Sequence, residues 1–240
     1  MTDISKSPER IAGMFDAIAG RYDFLNHLLS AGIDRGWRRR AIRSLQLTGG
    51  ERVLDVCTGT GDLAIAAVRA QPSASQVVGI DFSGAMLRVG DRKLRERRLS
   101  GRITMVQGDA AWIPIADRTV DAVTIGFGIR NVQDMDAVCA ELHRVLRPGG
   151  RLAILEFAVP TSPVFGALYG WYVSRVLPRI GRVVSRSGSA YAYLPASISA
   201  FATPDEFVKI LRRAGFTEIY PIRLALGSVI LYTAQKGTGG

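Results

Sequence analysis

The chain has 240 residues, 48% hydrophobic and 22% charged. Those fractions describe a globular chain long enough to bury one sizeable core, and they exclude a disordered, collagenous or coiled-coil polypeptide. The formal charge of +10 rests on 31 Lys and Arg against 21 Asp and Glu, an excess that suits anionic partners such as lipid surfaces or nucleic acid. Cys57 and Cys139 are too few for a disulfide framework, and no Cys/His cluster has zinc spacing, so a reducing compartment and no metal are expected. The first ten residues lack the apolar core of a secretory signal, which points to a cytoplasmic protein.

In chain order, helical patterns fall near residues 8–19, 22–30 and 36–46, with no strand pattern before residue 50. From residue 52 short β-branched runs alternate with helical ones, the pattern of a doubly wound sheet. Strands are expected at 52–57, 76–81, 103–107, 120–126 and 150–157. Helices are expected at 62–71, 84–98, 133–146 and 204–214, the last opened by Thr203, Pro204, Asp205 and Glu206. Strands at 217–222 and 228–234 are joined by too few residues for a crossover helix, so they form an antiparallel hairpin at one edge. The fold class is therefore α/β: a doubly wound Rossmann-like sheet of five parallel strands plus a C-terminal hairpin. The whole of 1–240 reads as one domain, with a helical lid over 1–50 and a helical insertion over 158–203. Two uncharged runs, 157–174 and 187–204, reach the length of a minimal membrane span. The first is broken by Pro160, Pro163, Gly166 and Gly170 and the second is mostly small or hydroxylated residues, so neither is expected to cross a bilayer.

The first strand runs into Asp55-Val-Cys-Thr-Gly59-Thr60-Gly61-Asp62, where glycines allow a tight turn and close approach of a ligand to a helix N-terminus. Gly59 to Ala64 with Asp81 also fits a dinucleotide fingerprint, which would suit an NAD-linked oxidoreductase. Asp62 opposes that reading, because a carboxylate at the helix start repels phosphates. Asp55, Asp62, Asp81 and Asp109 should ring the carboxyl edge of the sheet, calling for a ligand with positive charge, a ribose and no phosphate. S-adenosylmethionine meets this description: Asp81 suits its ribose diol and Asp109 its adenine amino group. The alternative is that Asp55, Asp62 and Asp109 are only caps or turn residues. Cys57 reads as a packing residue rather than a nucleophile.

The series Asp55-x-x-x-Gly59-x-Gly61, Gly79-Ile-Asp81, Gly108-Asp109-Ala110 and Leu146-x-Pro148-Gly149-Gly150 resembles the class I methyltransferase pattern. Tyr22-Asp23-Phe24-Leu25-Asn26 with Ser30 and Trp37, Gly126 to Val132, Arg144 to Phe157, Leu177 to Gly181 and Tyr191-x-Tyr193-Leu194 resemble the ubiquinone/menaquinone biosynthesis C-methyltransferases, over nearly the full length. The resemblance implies cofactor contacts at Thr60, Asp81, Asp109 and Ala110, and a place near the reacting ring for Arg130 and Asn131. The chain departs from the family at Leu25, where methionine is usual, at Asp34, where histidine is usual, and at Gly126 and Ala158, where serine occurs. Gly126 bears on one cofactor contact that the family's serine makes, and Asp34 on a proton-transfer role for that position.

Such an enzyme must align ring carbon, methyl and sulfur and favour an ionised ring hydroxyl. Arg130 could serve as the fixed cation and Asn131 as a donor to a ring oxygen, with Tyr22, Asp23 and His27 as candidates for moving the proton. His143, beside Arg144 in a surface-helix pattern, should face solvent. The substrate implied is a prenylated quinol, whose tail the apolar residues between Val164 and Leu177 could wall. Chain length and the short insertion favour demethylmenaquinol over the ubiquinone precursor, with another lipid or aromatic acceptor as the alternative. Arg175, Arg179, Arg182 and Arg186 would meet anionic lipid, giving peripheral attachment at the inner face of the cell membrane. No readout motif for nucleic acid is present. The sequence admits a homodimer without specifying one.

Overall fold

The computed structural model describes residues 7–23, 30, 32–70, 76–160, 162, 166, 170 and 188–238. The elements in order are α1 (Pro8–Asp16), a 3-10 turn (Ala19–Arg21), α2 (Asp34–Ser44), β1 (Arg52–Val56), α3 (Asp62–Ala70), β2 (Gln76–Asp81), α4 (Gly84–Glu96), β3 (Ile103–Gln107) and β4 (Val120–Gly126). A 3-10 turn (Ile129–Asn131), α5 (Met135–Val145), β5 (Leu146–Phe157), α6 (Gly188–Ser199), α7 (Pro204–Arg213), β6 (Phe216–Leu224), a 3-10 turn (Ala225–Gly227) and β7 (Val229–Lys236) follow. The seven strands form one sheet in the order β3-β2-β1-β4-β5-β7-β6. β1 to β5 pair in parallel, β7 runs antiparallel to β5, and β6 closes the edge as the hairpin partner of β7. The expected architecture stands.

Side-chain alternation along the strands sorts the core into two layers. Leu54, Val56, Val123, Ile125, Leu152 and Ile154 meet α5 and α7 on one face, around Leu142 and Phe207. Val53, Val77, Ala122, Ala153 and Leu155 meet α2 and α3 on the other, around Ile42, Leu45 and Ile65. The Arg-rich α2 can pack there because Ala41, Ile42 and Leu45 form a narrow apolar stripe opposite its arginines.

Several boundaries differ from the sequence reading. β5 begins at Leu146, which pairs with Val120 before the chain detours through Pro148-Gly149-Gly150 and resumes opposite Ala122. Gly149 has φ +77° there, a conformation glycine adopts without strain. The uncharged run after residue 187 forms α6 with Pro195 inside it. His143 is half-buried rather than solvent-facing, its ring edge-on to Phe216 at 5.2 Å. Burial is the first cause, and the Lys236 charge the second, holding its pKa below the usual histidine range. Most of the insertion, with Arg175, Arg179, Arg182, Arg186 and the apolar stretch 164–177, lies outside the described residues, as do Leu25 and His27. No helix among the described residues is long and apolar enough to cross a membrane.

Candidate active site

Strand order reverses between β1 and β4, and loops leaving the carboxyl ends of neighbouring parallel strands part at such a point. A cavity of about 410 Å³ opens there. Its floor is Cys57 and Gly59 after β1, Asp81 at the end of β2, Asp109 and Ala110 after β3, and Gly126, Phe127 and Gly128 after β4. Ile11, Phe15 and Tyr22 from the N-terminal segment cover it. Among the described residues, the ionisable groups lining it are Asp81, Asp109, Asp134, Tyr22 and Cys57. In a chain of net charge +10, three aspartates in the described lining disfavour a phosphate and suit a cation.

The carboxyl group of Asp81 accepts from the Gly59 backbone N–H at 2.7 Å and from the Ser83 N–H at 2.9 Å. Each oxygen keeps a lone pair for a hydroxyl such as those of a ribose. Burial holds the Asp81 pKa above the usual aspartate range, with the two backbone bonds opposing it. Asp109 accepts from the Ala111 N–H through Oδ1 at 2.9 Å, which leaves its other oxygen for an amino group. Burial pushes the Cys57 thiol well above its ordinary pKa, so it stays protonated and serves as packing against Gly128. The turn itself needs its glycines: Gly59 and Gly61 have φ of +56° and +80°, and a Cβ on Gly61 would lie 2.7 Å from Met105 Cε.

Asp55, Thr60 and Asp62 line a small pocket of about 30 Å³ beside the main cavity, which shares Tyr22, Cys57, Gly59, Gly126 and Phe127 with it and also includes Arg38. Asp55 is 1% exposed and lies beneath the turn, accepting from Thr58 Oγ1 at 2.6 Å, Thr124 Oγ1 at 2.7 Å and the Ala64 N–H at 3.2 Å. It ties β1, β4 and the start of α3 together, and burial raises its pKa to about 6. Thr60 is also buried, donating to Asp23 and accepting from Lys93 Nζ at 2.9 Å. Asp23 in turn pairs with Lys93 at 2.6 Å. Asp62 does not stand as a lone charge on the α3 N-terminus, because Lys93 lies 2.8 Å and Arg38 3.1 Å away. The case against a phosphate therefore rests on the cavity lining, not on Asp62.

Arg130 and Asn131 separate. Asn131 lines the cavity, and its Oδ1 accepts from Tyr193 Oη at 3.2 Å, leaving its amide N–H groups to donate. Arg130 is 5% exposed and outside the lining. Its guanidinium donates to Glu156 Oε1 at 2.6 Å, to the Phe127 carbonyl and to Ser197 Oγ at 3.3 Å, and stacks 5.4 Å over the Phe157 ring. Arg130, expected as the fixed cation near the reacting ring, has its charge matched by Glu156, which is 0% exposed. Neither Glu156 nor Lys93 was assigned a role from sequence, although Glu156 sits inside a family motif and Lys93 is one of only four lysines, the sole one in the stretch of arginines from 88 to 102.

The model of the ubiE/COQ5 methyltransferase family matches residues 2–236. The chain belongs to that family. Among its relatives, a ubiquinone/menaquinone biosynthesis C-methyltransferase UbiE of a Geobacter species is 46% identical over 98% of this chain and all of its own length. A demethylmenaquinone methyltransferase of Porphyromonas gingivalis is 44% identical over 95% of this chain and 93% of its own. In fold this methyltransferase is similar to the cyclase SpnF, with a TM-score of 0.71 at 18% identity and 97% coverage of each chain. A crystallised SAM-dependent methyltransferase from Aquifex aeolicus matches at a TM-score of 0.61 and 18% identity, over 82% of this chain and 88% of its own. S-adenosylmethionine is the family's methyl donor, and the acidic cavity fits it.

Proposed function

We propose that this chain methylates a ring carbon of a prenylated quinol, with demethylmenaquinol as acceptor and menaquinol as product. The observation that carries the reading is the cavity at the strand-order reversal, lined by Asp81, Asp109 and Asp134 among the described residues, in a chain that matches the ubiE/COQ5 methyltransferase family over residues 2–236. When bound, S-adenosylmethionine supplies an electrophilic methyl group on a sulfonium. Asp81 holds the ribose hydroxyls, and Asp109 with Ala110 holds the adenine edge. Gly59 and Gly61 keep the turn low enough for the donor to approach, while Thr60 and Asp55 act from beneath to fix that turn.

Asn131 touches the acceptor. With its carbonyl oxygen engaged by Tyr193, its amide hydrogens donate to a quinol oxygen and stabilise the charge that develops there as the ring carbon attacks. Arg130 acts as a positioning residue: through Glu156, the Phe127 carbonyl and Ser197 it fixes the loop that carries Asn131 against β5 and α6. Of the groups expected to move the ring proton, Asp23 is committed to Lys93, so Tyr22 is the described one placed at the cavity. The cover of Ile11, Phe15 and Tyr22 keeps water from the methyl donor.

The prenyl tail of the acceptor resides in a bilayer, so the enzyme works at a membrane surface on the cytoplasmic side. Support comes from a groove of about 890 Å³ between α2 and α3, lined by the exposed Arg35, Arg39, Arg43, Arg69 and Arg97. The only acid in that groove, Asp62, is paired with Arg38 and Lys93. Each arginine near an anionic surface contributes about 1 kcal/mol. Co-sedimentation with anionic vesicles in low salt, lost in high salt and absent with neutral vesicles, is the expected result. Equal binding to both lipids would remove the electrostatic contact. The acceptor is tested by extracting quinones from a strain lacking the gene: demethylmenaquinone should accumulate, and accumulation of an unmethylated ubiquinone precursor instead would reassign the substrate.

A further inference from the structure

The segment 7–23 roofs the cavity through Ile11, Phe15 and Tyr22, and two of its polar anchors fall on α4. At one end Asp16 accepts from Ser83 Oγ and from the Ala85 N–H at 3.3 Å. At the other, Asp23 meets Lys93, whose three N–H groups go to Asp23 at 2.6 Å, Asp62 at 2.8 Å and Thr60 Oγ1 at 2.9 Å. The lysine reaches the glycine turn because Gly90, one helical turn earlier, lets α4 approach so closely that a Cβ there would lie 3.3 Å from the Thr60 backbone. Lys93 is buried, and Thr60 donates to Asp23 while accepting from Lys93, so the roof, the turn and α4 converge on one ammonium group. Beyond Asp62 the chain of pairs continues to Arg38 and Asp34.

We propose that Lys93 is a positioning residue of the methyl-transfer site. By holding Asp23 against Thr60 it keeps Tyr22 and the segment 7–23 across the cavity, so S-adenosylmethionine enters and leaves only when this partly buried ion pair opens. The charge arrangement makes the two partners unequal. Among the described residues, Lys93 lies between Asp23 and Asp62, and Arg38 between Asp62 and Asp34. Removing the Asp23 charge leaves Lys93 its contacts to Asp62 and Thr60 and frees the roof. Removing the Lys93 charge leaves Asp23 and Asp62 facing each other without a cation between them, and their repulsion pushes the roof off.

The test is hydrogen exchange on the ligand-free chain together with stopped-flow release of S-adenosylhomocysteine. In Asp23→Asn, amides of 8–23 should exchange roughly tenfold faster and the nucleoside should leave roughly tenfold faster, while the amides of β1 to β5 keep wild-type protection. Lys93→Met should quicken both further, by about a hundredfold, and adding Asp23→Asn to it should bring both rates back toward those of the single Asp23 variant. The proposal is overturned if Asp23→Asn leaves exchange and release unchanged, or if exchange quickens across the sheet as much as in 8–23, which is the mark of a lysine that only stabilises the fold. It is overturned equally if the double variant is as fast as Lys93→Met. Should Lys93→Met not fold, Asp23→Asn decides alone. A wild-type chain that fails to bind S-adenosylhomocysteine would count against the cofactor, whereas the exchange measurement still judges the lysine.

Discussion

Arg130→Gln probes the distinction between a free cation at the reacting ring and a buried structural one. The guanidinium faces a carboxylate that is 0% exposed, with contacts at 2.6 Å to Glu156 Oε1 and 5.4 Å to the Phe157 ring. After the change Glu156 loses its cationic donor and keeps the backbone donors Phe157 N–H at 2.8 Å and Arg130 N–H at 3.2 Å, with a shorter neutral amide in place of the guanidinium. Breaking a buried pair by removing one member costs about 3–5 kcal/mol, because an uncompensated charge stays behind. Glu156→Gln strands the guanidinium in the same way and should cost a similar amount. The double variant places two neutral amides together, so its cost should fall below the sum of the singles by at least about 2 kcal/mol. Urea unfolding followed by fluorescence and far-UV circular dichroism measures all three. At a temperature where the single variant is folded, turnover should drop through displaced Asn131, cofactor affinity should change little, and raising the pH should not restore the rate. Additive costs within about 0.5 kcal/mol, or restoration of turnover by alkaline pH in a fully stable Arg130→Gln, would refute this placement of the arginine.

Asp81→Ala should weaken S-adenosylmethionine by roughly 2 kcal/mol in calorimetry, through lost charge-assisted bonds to the ribose and a loosened Gly59; an unchanged dissociation constant would exclude Asp81 from the site. Burial raises the Asp55 pKa from 3.8 to about 6, so the folded state prefers the protonated acid and its contribution to stability is greatest below about pH 4, falls as pH rises to about 6, and is flat above. Across that window wild type should lose about 3 kcal/mol relative to Asp55→Asn, whose amide can still accept from Thr58 and donate to the Thr124 hydroxyl; parallel pH profiles of urea stability would show that Asp55 does not titrate as described. Gly126→Ser should fold with an unchanged melting temperature, since a Cβ there lies 3.6 Å from Leu63 Cδ2, whereas Gly128→Ala places a Cβ 2.4 Å from that of Cys57 and should cost about 1–3 kcal/mol. Equal melting temperatures for the two variants would contradict the packing described.

The strands were legible because β-branched runs and turn residues are local signals, and β1 to β4 begin where the sequence places them. Of the cavity-lining residues, Gly59, Asp81 and Asp109 were legible from their places at strand ends, whereas Ala110, Asn131 and Tyr22 were reached only through the family resemblance. What the sequence hid was pairing across distance. Asp23 and Lys93 are 70 residues apart, and Arg130 and Glu156 are 26 apart on different elements. No periodicity links such partners, so the sequence offers Asp23 and Arg130 as functional candidates without their partners and gives Lys93 no role. Asp62 was read as an unpaired charge for the same reason, since Arg38 and Lys93 arrive from two other helices. α6 was obscured by its own composition, being rich in small and hydroxylated residues and carrying Pro195.

The central claim is methyl transfer from S-adenosylmethionine to a ring carbon, and isotope tracing tests it most directly. The purified chain is supplied with trideuteriomethyl S-adenosylmethionine and reduced demethylmenaquinone in anionic vesicles, and the extracted quinone is analysed by mass spectrometry and deuterium NMR. The predicted product carries one intact trideuteriomethyl group on the quinone ring. Label on a ring oxygen, or an unlabelled quinone from a chain that binds S-adenosylhomocysteine normally, would contradict the account.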